Sequence, residues 1–135
     1  MPESGAYKFR KEERVYSRKL IEKLFNGGGS RSMASFPLRL VYMKTEPETG
    51  APAVKILVSV PKRCFKRAVK RNRVKRQVRE AYRKNKAILY EKLEGKEYGI
   101  AMAFIWLDDK LYPTAEVEKK VVNLIQRLSE KTERL

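Results

Sequence analysis

Apolar and polar positions alternate from Phe36 to Tyr42, where Phe36, Leu38, Leu40 and Tyr42 interleave with Pro37, Arg39 and Val41, and again from Val54 to Val60. Both runs have the period of a half-buried strand. The turn-rich stretch Glu46-Pro47-Glu48-Thr49-Gly50-Ala51-Pro52 joins them, so they are expected to pair antiparallel. Pro37 lacks an amide hydrogen and places its strand at a sheet edge, or itself at the strand start. Pro61 breaks the second ladder. Tyr98 to Trp106 is nearly continuous apolar sequence, the pattern of a strand covered on both faces.

Three segments carry helical spacing instead. Leu20, Ile21, Leu24 and Phe25 recur on one face of a short helix that Ser17 caps and Gly27-Gly28-Gly29 stops. In the basic segment, Val74, Val78, Ala81 and Tyr82 share one face, with Asn72, Lys75, Arg76, Arg79 and Arg83 opposite. Phe65, Ala68 and Val69 are out of phase with that stripe, which predicts a bend or a separate first turn near Lys70-Arg71. Thr114 caps a final helix whose buried stripe is Val117, Val121, Leu124, Ile125 and Leu128. The order is helix, two or more strands, helix, strand, helix, an α+β pattern. At 135 residues a second complete core is hard to fit, so residues 1–135 are expected to form a single domain. Residues 1–16 would be a polar, basic N-terminal arm with Tyr7, Phe9, Val15 and Tyr16 as anchors.

Charge sharpens this picture. The chain holds 32 Lys and Arg against 16 Asp and Glu, a net of +16. Between Lys62 and Lys86, 13 cations face Glu80 alone, so three quarters of the excess lies in 25 residues. Like charges at that density repel one another until a polyanion neutralises them, which points to nucleic acid. Hydrophobic residues make up 42% of the chain, too many for a disordered basic tail. No run reaches the roughly 18–20 apolar residues of a membrane span, and Met1-Pro2-Glu3-Ser4-Gly5 lacks the apolar core of a secretory signal. A cytoplasmic location is expected, with no membrane partner and no evident protein partner.

The residues available for chemistry are few. There is no histidine, which removes the commonest general base and metal ligand. Cys64 is the only cysteine, so it has no disulfide or ligand partner and reads as a small core filler. The glycine triplet is followed by no Lys-Ser or Lys-Thr and reads as a helix stop. Asp108-Asp109 is the one acidic pair that suggests a metal nuclease, and it reads instead as the turn that ends the buried strand. No catalytic side chain and no metal site are assigned.

The run from Lys62 to Arg83 resembles the signature of the bacterial ribonuclease P protein family. The hallmark is Arg71-Asn72-Arg73, then Val74, Lys75-Arg76 and Arg79. The lead-in Val58-Ser59-Val60-Pro61-Lys62-Arg63, the aromatic Phe25 ending the first helix, and Phe36 at the next strand start also fit. The likeness spans roughly residues 14–128, and the 62–83 block is its specific part. Some members carry Gly-Asn-Ala where this chain has Lys66-Arg67-Ala68, and Phe65 replaces a smaller residue.

The resemblance implies an α–β sandwich: a mixed sheet of about four strands with three helices, ordered αβββαβα, and a left-handed crossover into the basic helix. It implies a protein subunit that binds a catalytic RNA and the single-stranded 5′ leader of precursor tRNA. The ribonucleoprotein removes the leader endonucleolytically; the RNA performs the hydrolysis and requires Mg²⁺, and the protein binds no cofactor of its own. The RNA-binding residues would be Lys62, Arg63, Lys66, Arg67, Arg71, Asn72, Arg73, Lys75, Arg76, Arg79 and Arg83. Asn72 serves equally as a helix cap or as an RNA contact. By position, Ile21, Phe25 and Arg39 would hold the leader; Ile21 and Phe25 also fit a core role, and Arg39 a solvated charge. Phe36 reads as core. A ribosomal or tRNA-associated RNA-binding protein with no processing role has the same composition and is the alternative.

Overall fold

A computed structural model describes residues 18–46 and 52–132 of the chain. Its elements are α1 (Arg18–Asn26), β1 (Arg31–Ser35), β2 (Leu38–Thr45), β3 (Val54–Ser59), α2 (Ala68–Asn85), α3 (Ala87–Leu93), β4 (Gly99–Trp106) and α4 (Thr114–Thr132). The strands form one sheet in the order β1-β2-β4-β3. β1 pairs antiparallel with β2, β2 antiparallel with β4, and β3 parallel with β4. The fold is α+β with a mixed sheet, as expected, but with four helices rather than three. Seven-residue α3 is too short for the 3.6-residue period to declare itself.

Alternation sets the two faces of the sheet. Leu38, Leu40 and Tyr42 of β2, Val54, Ile56 and Val58 of β3, and Ile100, Met102, Phe104 and Trp106 of β4 point to one side. There they meet Val74, Val78, Ala81 and Tyr82 of α2, Leu89 and Leu93 of α3, and the expected stripe of α4. On the other side, Leu24 of α1 packs on Val41 and Ala103, flanked by Met43, Leu57 and Ile105. β4 is thus covered on both faces, as its continuous apolar sequence predicts.

Several expectations need correction. The strand from Val54 does not pair antiparallel with the preceding one. β4 lies between them, because its two apolar faces are best buried in the sheet interior. Of the two places open to Pro37 the structure has the strand start, since it stands directly before β2, and its carbonyl accepts from Leu107 N at 2.8 Å. Phe36 is not core: it sits in the β1–β2 turn and is 59% exposed. No bend occurs near Lys70-Arg71, since α2 runs unbroken from Ala68. Phe65 is buried ahead of that helix, and Val69 is 79% exposed on its first turn. Ser17 and the 1–16 arm lie outside the described residues.

Polar anchors fix the helices. α1 ends where Gly27 N donates to Lys23 O (3.1 Å), Gly28 takes φ +75°, and Ser30 Oγ donates to Leu24 O (2.6 Å). Gln77, buried in α2, donates through Nε2 to Tyr112 O and Thr114 Oγ1, both at 3.1 Å, and ties α2 to the start of α4. The Tyr112 hydroxyl donates to Asp108 Oδ2 (2.6 Å) and Asp109 N to Oδ1 (2.8 Å), closing the turn after β4. The Tyr112 bond is the main reason that the Asp108 carboxyl is held below its usual range. A depressed folded value stabilises the fold above the unfolded pKa of about 3.9 and loses that contribution as pH falls through the folded value.

Val78→Asp should therefore cost about 3–5 kcal/mol, because it sets an unpaired charge against the sheet; urea denaturation reads this directly. Tyr112→Phe should flatten the loss of stability below about pH 4, measured as melting temperature against pH.

Candidate nucleic-acid interface

With one stripe of α2 fixed against the sheet, the helical period decides what the other side presents. Relative to Val78, Asn72, Arg83 and Arg76 fall about 120–160° away, and Arg79 about 100° away. Asn72, Arg73 and Arg76 are exposed, whereas Lys75, Arg79 and Arg83 are partly covered. Lys62, Arg63, Lys66 and Arg67 are exposed on the segment that leads into the helix. Arg67 occupies the N-cap position with no side-chain capping bond, and the first turn holds no acidic residue. Cations gathered at the positive end of a helix dipole are mutually unfavourable and await an anion.

The expected site residues divide by what they already hold. Arg71 Nη1 donates to Phe65 O (2.7 Å) and Lys66 O (2.8 Å), so Arg71 clasps the lead-in segment to the first turn. Arg83 grips Glu80 through Nε to Oε2 at 3.1 Å and through Nη2 to Oε1. That pair holds the Glu80 carboxyl below its usual range and raises Arg83, so much of this cation is already neutralised. Asn72 is not the cap: it is the fifth residue of α2 and faces outward, which leaves its amide open for contact. Lys86, counted in the basic run, is buried, with its ammonium 5.5 Å from the Tyr90 ring centroid. Cys64 is buried under the segment with Sγ 3.6 Å from Trp106 O, and burial pushes its thiol pKa up against the pull of Arg63.

The open face of the sheet forms a groove beside this surface. Ala34, Arg39, Ile105 and Ser59 are register partners across all four strands, and the next row is Ser32, Val41, Ala103 and Leu57. Leu24 sits over that second row, and Ile21 and Phe25 lie about 60° and 100° from it around α1. Phe25 is 41% exposed and Ile21 is half-buried; neither is pure core. Ser59 ends β3 and leads through Pro61 into Lys62 and Arg63, while Cys64 touches the end of β4. Ile21 and Phe25 of α1 and Arg39 of β2 thus lie on the same side of the sheet.

Residues 9–129 match the family model for ribonuclease P. This chain belongs to the ribonuclease P protein family. The ribonuclease P protein component of Porphyromonas gingivalis strain ATCC 33277 is 38% identical over 129 residues, covering 96% of this chain and 92% of the relative. That of Chlorobium phaeobacteroides is 34% identical over 135 residues, covering 91% and 90%. The RNase P protein of Thermotoga maritima superposes with a TM-score of 0.66 at 22% identity, over 85% of this chain and 96% of that one. The Staphylococcus aureus protein does so with 0.62 at 16% identity, over 87% and 95%. These two likenesses bear on the fold, and the family match carries the assignment. Membership in the ribonuclease P protein family makes this chain the protein component of a ribonucleoprotein endoribonuclease.

Sequence reading missed the clasp role of Arg71 and the buried Gln77. The signal for Gln77 was present, since it lies beside Val78 and one turn from Val74 on the helical wheel. Arg71→Met should loosen the lead-in segment and lower stability by about 1–2 kcal/mol, with faster amide exchange at Cys64 and Phe65. Arg71→Lys keeps the charge and should lose the same protection.

Proposed function

We propose that the chain holds the catalytic RNA of ribonuclease P with the exposed face of α2 and its lead-in segment, and the single-stranded 5′ leader of precursor tRNA in the adjoining groove. One observation carries this reading: an uncapped, acid-free helix start surrounded by Lys62, Arg63, Lys66 and Arg67 continues into Arg73 and Arg76 one turn apart. Phosphates of a folded RNA meet several such cations at once and release counterions as they do. The fork of an arginine accepts two phosphate oxygens, which favours a shaped RNA backbone over diffuse attraction. In the groove, Phe25 offers a ring for base stacking and Arg39 a cation for the backbone, the pairing that suits single strands.

In this division of labour the RNA cleaves the phosphodiester, and the protein raises substrate affinity and lowers the Mg²⁺ requirement. The Mg²⁺ would be held by RNA. Among the described residues, no three His, Cys, Asp or Glu side chains gather as a metal site needs. The holoenzyme would act on precursor tRNA in the cytoplasm; no helix of the described residues is long and apolar enough to cross a membrane.

Mixed with bacterial ribonuclease P RNA at low Mg²⁺, the protein should restore leader removal, and no stimulation would overturn the reading. Arg73→Glu with Arg76→Glu should weaken RNA binding on the order of a hundredfold with the melting transition nearly unmoved. Glu80→Gln, which releases Arg83, should strengthen binding.

A further inference from the structure

Of the large apolar side chains among the described residues, the most exposed is Val69, at 79%. A lone exposed valine on a protein surface needs no explanation. This one stands on the helix that presents the cations, and its place on that helix is informative. It precedes Val78 by nine residues, so it lies about 180° around α2 from that buried side chain, on the side directly away from the sheet. Arg76 and Arg73 fall within about 20° and 40° of it around the helix, and Asn72 about 60° away. An apolar side chain thus occupies the middle of the outward face, with polar and cationic groups around it.

Helix geometry alone brings these groups together. Residues three and four apart are neighbours, with Cβ atoms about 5–6 Å apart. Helical side chains also lean toward the N-terminus, so Asn72 and Arg73 reach back over the turn that carries Val69. Val69, Lys70, Asn72 and Arg73 are all exposed, and the first turn holds no acidic residue. The cations by themselves account for attraction to phosphate. They do not account for an isopropyl group and a carboxamide among them, since neither neutralises charge. A nucleobase uses both: its face packs on an apolar group, and its edge carries donors and acceptors that an amide matches. A second copy of this chain is a poor occupant, because it would bring a like array of cations against this one.

We propose that Val69 and Asn72 form a seat for one unstacked nucleobase of the catalytic RNA, with the valine against its face and the amide on its edge. Arg73 and Arg76 hold the flanking phosphates. The inference rests on the RNA-binding role proposed above and deepens it: α2 reads one base as well as a run of phosphates.

The test compares Val69→Ala, Val69→Thr and Asn72→Ala with Arg73→Gln in the full-length protein. Dissociation constants for bacterial ribonuclease P RNA are measured against salt, and the RNA bases are probed chemically in each complex. Val69→Ala should bind about fivefold more weakly, at an unchanged salt slope because no charge is lost. Its melting temperature should hold or rise, since alanine favours a helix more than valine does. Val69→Thr keeps the branched shape, and its hydroxyl should weaken binding by a similar factor. Arg73→Gln should instead make the slope shallower by about one. The same unpaired nucleotide should gain reactivity with Val69→Ala and with Asn72→Ala. Unchanged affinity for both valine variants overturns the base seat and leaves the cationic interface standing. So does reactivity that rises at different nucleotides for the two alanine variants. A loss seen only with precursor tRNA would set Val69 against the substrate and overturn the assignment to catalytic RNA. A shift from dimer to monomer in RNA-free Val69→Ala, read by ultracentrifugation, would give the face to a second copy. Unaltered protein that binds no catalytic RNA sinks the functional reading together with this one.

Discussion

The docking of one apolar stripe of α2 on the sheet is the constraint from which the rest of the interface follows. Val74, Val78 and Tyr82 are wholly enclosed, so the helix cannot rotate without exposing them. The 3.6-residue period then leaves Asn72, Arg73 and Arg76 no direction but outward. Burial of a few side chains thus holds mutually repelling cations in a fixed array. Gln77 adds directional hydrogen bonds that a greasy stripe lacks, fixing α2 relative to α4. Preorganisation of this kind lowers the ordering cost when a polyanion binds.

The cations of the basic run do not all serve one purpose. Arg71 spends one nitrogen on two backbone carbonyls and holds the segment that carries Lys62 and Arg63. Arg83 is balanced by Glu80, and Lys86 is buried. The surface with the highest density of uncompensated charge is therefore the start of α2, not the whole 62–86 stretch. That start adjoins the sheet end bearing Arg39 and Ile105. In the proposed reading, an RNA backbone lies on the helix and a single strand on the sheet face beside it.

β4 connects this end of the molecule to the other. It is central in the sheet, pairs with β2 and β3, and is covered by helices on one face and by α1 on the other. The small residue Ala103 on its open face lets α1 approach closely, and Leu24 packs there beside Val41.

Much of this was legible in the chain itself. The α2 and α4 stripes, the doubly covered strand and the clustered charge are local or periodic features, and short-range backbone geometry converts them directly into faces. The Arg71-Asn72-Arg73 block was legible through its resemblance to the ribonuclease P protein signature. Strand pairing was not, because alternation says which side of a strand is buried and nothing about its neighbour. Only the competition among strands for the central position put β4 between β2 and β3. Phe36 looked like core because its phase continued that of Leu38 and Leu40, until the turn took it out of the strand. The placing of Ile21 and Phe25 on the same side of the sheet as Arg39 joins residues from separate elements. No sequence period records such proximity, and the packed tertiary structure alone decides it.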